Sequence, residues 1–264
     1  MSLVAFAIRV TTVRALQAAL PASIDVVDSP QEPVTAMIGP EPHPMVAIYS
    51  GSTETKLDGR NLLGGESKVA LAIQFLLPEA FDFTVAPSVV IRIDTRRQGA
   101  ETALDVLWRM AALALDGKTA EPWAALWREF VVLTPRVSNA SYLIEREGVR
   151  ITAREVVITC DPIHEPTPGV APEGPWATLL TLMRADTNTD GLVSLADWIE
   201  AEIRGGADLA QEERDRIYMG LSDYVARDIG VLTTGPYEDV NNDPLATADD
   251  EAPADPDSFT EQDQ

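Results

Sequence analysis

The chain has 264 residues, 45% of them apolar, and a formal net charge of −22 from 42 acidic against 20 basic side chains. That balance excludes a broad phosphate-gripping face, which would hold nucleic acid by releasing counterions to lysines and arginines, and the only lysines are Lys56, Lys68 and Lys118. No apolar run approaches the ~18 residues of a membrane helix, and the single cysteine, Cys160, excludes an intrachain disulfide and a multi-cysteine zinc site.

In chain order, the first predicted element is a helix from Val4 to Leu20. Leu3, Phe6, Val10, Val13, Leu16 and Leu20 follow helical spacing, and Pro21 ends the run. Its apolar residues come before Arg9 and Arg14, the reverse of a secretory signal, so it is expected to be the first helix of the mature protein. Strand-like runs follow at 45–50 (MVAIYS), 69–77 (VALAIQFLL) and 88–94 (SVVIRID). The polar, glycine-rich stretch GSTETKLDGRNLLGGES between the first two predicts a long hairpin loop.

The strongest helical stripe comes next: Ala100, Ala103, Leu104, Leu107, Ala111 and Ala114, with Thr95 and Gln98 placed as a capping box. A second helix is predicted over EPWAALWREFVVL (121–133), preceded by Thr119 and with Pro122 in its first turn. Trp108, Trp123 and Trp127 lie among apolar neighbours on these helices and read as core. Two further strands, SYLIERE and RITAREVVITCDPI, turn around Gly148. Cys160 lies in the second, as a small buried side chain. Hairpin-compatible strands interspersed with helices predict an α+β fold, an antiparallel-rich mixed sheet flanked by helices, over residues 1–168.

HEPTPGVAPEGP (164–175) reads as a linker, because prolines at that density block both helix and ladder hydrogen bonds. A small helical domain is expected over 169–235. Residues 236–264 carry ten acids and no lysine or arginine. Such a tail buries too little apolar surface to offset its ordering entropy, and is expected to be disordered.

The stretch ADTNTDGLVSLADWI (185–199) has the spacing of a twelve-residue calcium loop. A hard cation takes oxygens from positions 1, 3 and 5, a backbone carbonyl at 7, position 9 often through water, and position 12. Those positions are Asp186, Asn188, Asp190, Leu192, Ser194 and Asp197, with Gly191 at the sharp turn. Val193 suits the short strand of such loops. Trp176, Leu179, Leu180 and Met183 form one face of an entering helix, and Leu195, Trp198, Ile199 and Ile203 one face of an exiting helix. The segment resembles an EF-hand, and its short exit with a terminal Asp resembles a dockerin half-repeat. One Ca2+ is the cofactor this implies. Asp197 stands where Glu is usual, which predicts weak affinity, roughly 10⁻⁵–10⁻³ M. A partial copy at 239–250 has Pro244 where glycine is needed, and reads as a degenerate repeat.

Catalytic signals are weak. The chain has no P-loop, no G-x-S-x-G and no H-E-x-x-H, and His43 and His164 flank prolines at element edges. No catalytic residue is assigned, and the chain is expected not to be an enzyme.

The helix VRALQAALP, the proline-led strand PHPMVAIYSG, the long loop before GGESKVALAIQFLLP, the helix pair ending EPWAALWREFVV and the hairpin EREGVRITAREVVITCDPIHEP recur in one order across residues 1–168. That order resembles the tail terminator family of tailed bacteriophages. The resemblance implies a structural virion protein that forms a ring, usually a hexamer, capping the tail tube and joining it to the neck. Its implied partners are copies of itself, the tail tube protein, a neck or head-completion protein and, further, the sheath protein. Its implied location is the tail–neck region of the virion, after assembly in the host cytoplasm. Strands such as 45–50 and 69–77 are expected to pair between neighbours, with no specific nucleic-acid binding and no membrane partner. The alternative is a calcium-dependent protein-binding module of a cell-surface or secreted assembly.

Overall fold

The computed structural model describes residues 2–30, 43–56, 65–86, 89–94, 99–117, 119–146, 149–186 and 192–205. The expected capping box (Thr95, Gln98), the turn at Gly148, the loop ligands Asn188 and Asp190, residues 206–235, the 236–264 tail and the 239–250 repeat lie outside them.

The first helix, α1 (Leu3–Ala19), is apolar on nearly every side, and the fold encloses it accordingly. From Val4 to Leu16 every residue except Arg9 is buried. A helix buried all round must satisfy its polar groups internally. Thr11 and Thr12 do so by donating to the carbonyls of Ala7 and Ile8, each at 2.7 Å. Ser2 caps the start by accepting from the Ala5 amide at 3.2 Å. Leu20 leaves the helix in extended geometry, as a residue before proline prefers.

Five strands form one sheet, β1 (Asp25–Asp28), β2 (Met45–Lys56), β3 (Glu66–Pro78), β6 (Val131–Arg146) and β7 (Val149–Pro162), in the order β1-β2-β3-β7-β6. Only β1 runs parallel to its neighbour; the other three ladders are antiparallel. This is the α+β class with a mixed sheet. β4 (Ala80–Ala86) and β5 (Val89–Asp94) pair with each other in a separate two-stranded sheet.

Alternation along the strands sets which face meets the helices. Val69, Leu71, Ile73, Phe75 and Leu77 of β3, Val46 and Ile48 of β2, and Val156, Ile158 and Cys160 of β7 share one apolar cluster with α1. That cluster also takes in α2 (Gly99–Asp116) through Ala103, Leu104, Leu107, Ala111, Ala114 and Leu115, the predicted stripe without Ala100, which is half-buried, and with Leu115 added. On the opposite face Met45, Leu76, Ile151 and Ala153 form a smaller cluster.

Three expectations change. The polar stretch after residue 50 is not all loop, since β2 and β3 keep their ladder out to Lys56 opposite Glu66, past a register shift between Ser50 and Thr53. The helix predicted over 121–133 is shorter: α3 spans Trp123–Phe130, and Val131 already starts β6 opposite Pro162. Adjacent β-branched Val131 and Val132, followed by Thr134 and Pro135, favour extended chain over another helical turn. Strands 45–50 and 69–77 pair with one another inside the sheet, with β7 covering 69–77 on the far side and β1 covering Met45–Ile48.

Residues 164–175, expected as a linker, are tied down from the preceding Ile163 onward. Ile163 donates to the Phe130 carbonyl at 2.9 Å, and Gly169 to that of Ile203 at 2.7 Å. Glu165 accepts from the Ser2 hydroxyl and, at 3.4 Å, from the Val4 amide, which puts its carboxylate at the positive end of α1. Beyond lie α4 (Pro175–Ala185) and α5 (Leu192–Ile203). Their buried faces, Trp176, Leu179, Leu180 and Met183 with Leu192, Ala196, Ile199 and Ile203, belong to the same cluster as α1 and the sheet. The Phe130 and Trp176 rings meet edge-on at 5.0 Å. Trp198, expected on the apolar face, is 61% exposed instead, and Ala196 takes the inward place.

Phe130 therefore joins α3 to α4, and Phe130→Ala should cost about 3–5 kcal/mol in denaturant unfolding. Val132→Ala, two residues on but exposed, should stay within about 0.5 kcal/mol of the parent.

Candidate functional site

Asp186, first in the calcium spacing, is the C-cap of α4. Its carboxylate is buried and lies 2.9 Å from the guanidinium of Arg14, itself only 6% exposed in the middle of α1. Arg14 also donates to the Gln17 side chain at 2.6 Å, and Gln17 donates to the Val26 carbonyl at 3.1 Å. A polar chain thus runs from α4 through α1 to β1. Burying one charge is costly; burying both at contact distance keeps most of their attraction while removing water.

Leu192 and Ser194, positions 7 and 9, lie in the first turn of α5, the former buried and the latter exposed. Val193, expected in a short strand, is helical and 45% exposed. Asp197, position 12, is exposed and accepts from Arg184 Nε at 2.9 Å and Nη2 at 2.8 Å. Arg184 and Arg204 both donate to Glu200, and those two hydrogen bonds hold its carboxyl below the usual range. The structure therefore separates the two outer ligands by their partners: Asp186 faces inward to Arg14, Asp197 outward to Arg184. Among the described residues no group of three or more His, Cys, Asp or Glu side chains converges as a metal site.

The other candidates resolve into structural roles. Cys160 is buried, and burial followed by the charge of Asp161 pushes its thiol up to about 12. His43 and His164 are exposed. Trp127 is in the core, with Trp108 and Trp123 packed against it. Arg154, buried on β7, is held by Asp105 and Glu101 of α2, each at 2.5 Å, and by Ser141 of β6 at 3.1 Å.

Comparison with protein-family models and with curated proteins finds no match.

One feature escapes sequence reasoning, the outer edge of β6. Among the described residues β6 has a ladder partner on one side only. Val132, Leu133, Val137, Tyr142 and Leu143 are 38–62% exposed along it. The signal was partly present in SYLIERE, but which strand ends the sheet is a tertiary fact.

Arg14→Met should destabilise the chain by about 3–5 kcal/mol in urea unfolding, because it leaves Asp186 buried without its cation. Arg14→Met combined with Asp186→Leu should recover most of that loss. A single-variant loss below about 1 kcal/mol would mean that the pair does not hold α4 to α1.

Proposed function

We propose that this chain is a structural protein of a tailed bacteriophage, a tail terminator that works as a ring on the end of the tail tube. The observation that carries the reading is the bare, largely uncharged edge of β6. A sheet backed by helices on one face and open at one edge is suited to adding copies, and a ring stops growing because its heterologous contacts close. The order of helix, paired strands, helix pair and closing hairpin agrees with the resemblance drawn from the sequence. Ring formation asks for complementary surfaces rather than chemistry, so the reading assigns no catalytic residue. A ring of chains at −22 each repels phosphate and lets DNA pass without gripping it.

Within this reading the loop at 186–197 takes one Ca2+, supported by its ligand spacing. The cation would draw Asp186 away from Arg14 and Asp197 away from Arg184, which agrees with weak affinity. Tube protein, neck protein and sheath are the partners the reading assigns.

Two measurements test these points. Added to assembling tube subunits, the protein should narrow and shorten the distribution of tube lengths; an unchanged distribution at excess protein rejects the terminator role. Hydrogen exchange with calcium against chelator should alter protection over 176–204 and leave 69–77 and 150–160 alone. Asp190→Ala should abolish the difference, while Asp239→Ala should not. Equal protection in both conditions would leave the loop an acidic turn.

A further inference from the structure

The two ends of the five-stranded sheet are not alike. β1 is four residues long, carries Asp25 and Asp28 at its limits, and has the Val26 carbonyl already taken by Gln17. Short length, end charges and a side-chain cover are the usual protections of an edge. β6 is sixteen residues long. Its ladder with β7 is irregular before Arg136 and regular from there to Arg146. Across that regular part the run Val137–Ile144, VSNASYLI, holds no acid, base, proline or glycine, in a chain with 42 acids.

The run keeps exposed side chains on both faces, although Ile144 packs against the small cluster and Ser141 accepts from Arg154. Val137 and Leu143, each 48% exposed, lie opposite Ile158 and Thr152 on the helix side. Tyr142, 38% exposed, lies opposite Ala153 on the other side. A partner strand would satisfy the outer main-chain groups and cover side chains above and below.

The described residues hold another pair of open edges. β4 and β5 pair only with each other, so each keeps one side unpaired. In their register Phe81 lies opposite Ile93, Asp82 opposite Arg92 and Phe83 opposite Ile91. A two-stranded sheet is marginal in water and gains most from a third strand. Strands of seven and six residues suit the eight-residue run.

We infer that the free edge of β6 is completed by the β4–β5 hairpin of a second copy of this chain. The contact deepens the ring reading, because a surface that receives and a different surface that gives produce a heterologous, repeating contact. Within the run Val137, Tyr142 and Leu143 are the exposed apolar side chains, so main-chain pairing carries most of the contact, which falls short of the ~800 Å² per partner of a standard interface and favours association at high concentration. The neutral run is also where two acidic copies approach at the least electrostatic cost.

Sedimentation of the full-length protein over a concentration series, read together with hydrogen exchange, tests the inference. The protein should associate at high concentration, more tightly in added salt, which screens repulsion between the acidic copies. Amides in 137–144 and in 80–94 should gain protection together as the larger species fills. Val137→Lys with Leu143→Lys puts charge on exposed edge positions, so it should leave the melting curve in place and weaken association at least about tenfold. If that double variant fails to fold, Asn139→Lys, also on the exposed edge, serves instead. Association with 137–144 still exchanging freely overturns the inference, as does a species that stops at two copies with only 137–144 protected, or a monomer at ~1 mM. Association through both segments without any effect on tube length would uphold the contact and reject the terminator role.

Discussion

A guanidinium in the middle of a buried helix is the constraint on which the rest of this structure depends. Arg14 lies among Val10, Val13, Ala15 and Leu16, all buried. A charge placed there without a counter-charge would be worth several kcal/mol of penalty. Asp186 answers it from the far end of the described chain, and in doing so fixes where α4 ends. The helical hairpin α4–α5 is thereby part of the shell around α1, beside the sheet and the α2–α3 pair. Apolar packing supplies the attraction, but it is non-directional; the ion pair adds a directional contact between α1 and the end of α4.

Much of this was legible where periodicity is long and one-sided. β3 alternates buried and half-buried residues from Val69 to Phe75, and α2 keeps its stripe from Ala103 to Leu115. Both survive tertiary context because each presents one face to the core. α1 was legible as a helix but not as an enclosed one, since six apolar positions on a stripe do not reveal that Thr11 and Thr12 are buried too. β1 has only Val26 and Val27 between two aspartates, too short a run to stand out. β4 alternates Phe81 and Phe83 with Asp82 and Thr84, a period-two signal too short to stand out between Pro78 and Pro87.

The calcium spacing and the ion pairs draw on the same carboxylates for different ends. Spacing along the sequence places six oxygens at the intervals a cation requires, but spacing carries no information on which other cations are near. Arg14 is 172 positions away in sequence (186 − 14) and at contact distance in space. Position 12 has Arg184 from the entering helix itself, an arrangement that a motif read as a string treats as a neutral flank. Trp198 taught the same lesson in apolar form. At a helical position one step from Ile199, its direction was decided by Ala196, whose small side chain lets α5 approach the core on that side.

The hydrogen bonds at the start of α1 have a consequence for the order of events in folding. Ser2 and Glu165 are 163 residues apart in sequence, so their contact closes a loop that encloses most of the sheet and the α2–α3 pair. Closing a loop of that length costs more chain entropy than pairing β2 with β3 or β6 with β7, whose strands follow one another directly. The first turn of α1 is thus locked after the elements it rests on, and it is the part of the helix that opens without disturbing the ladders beneath it.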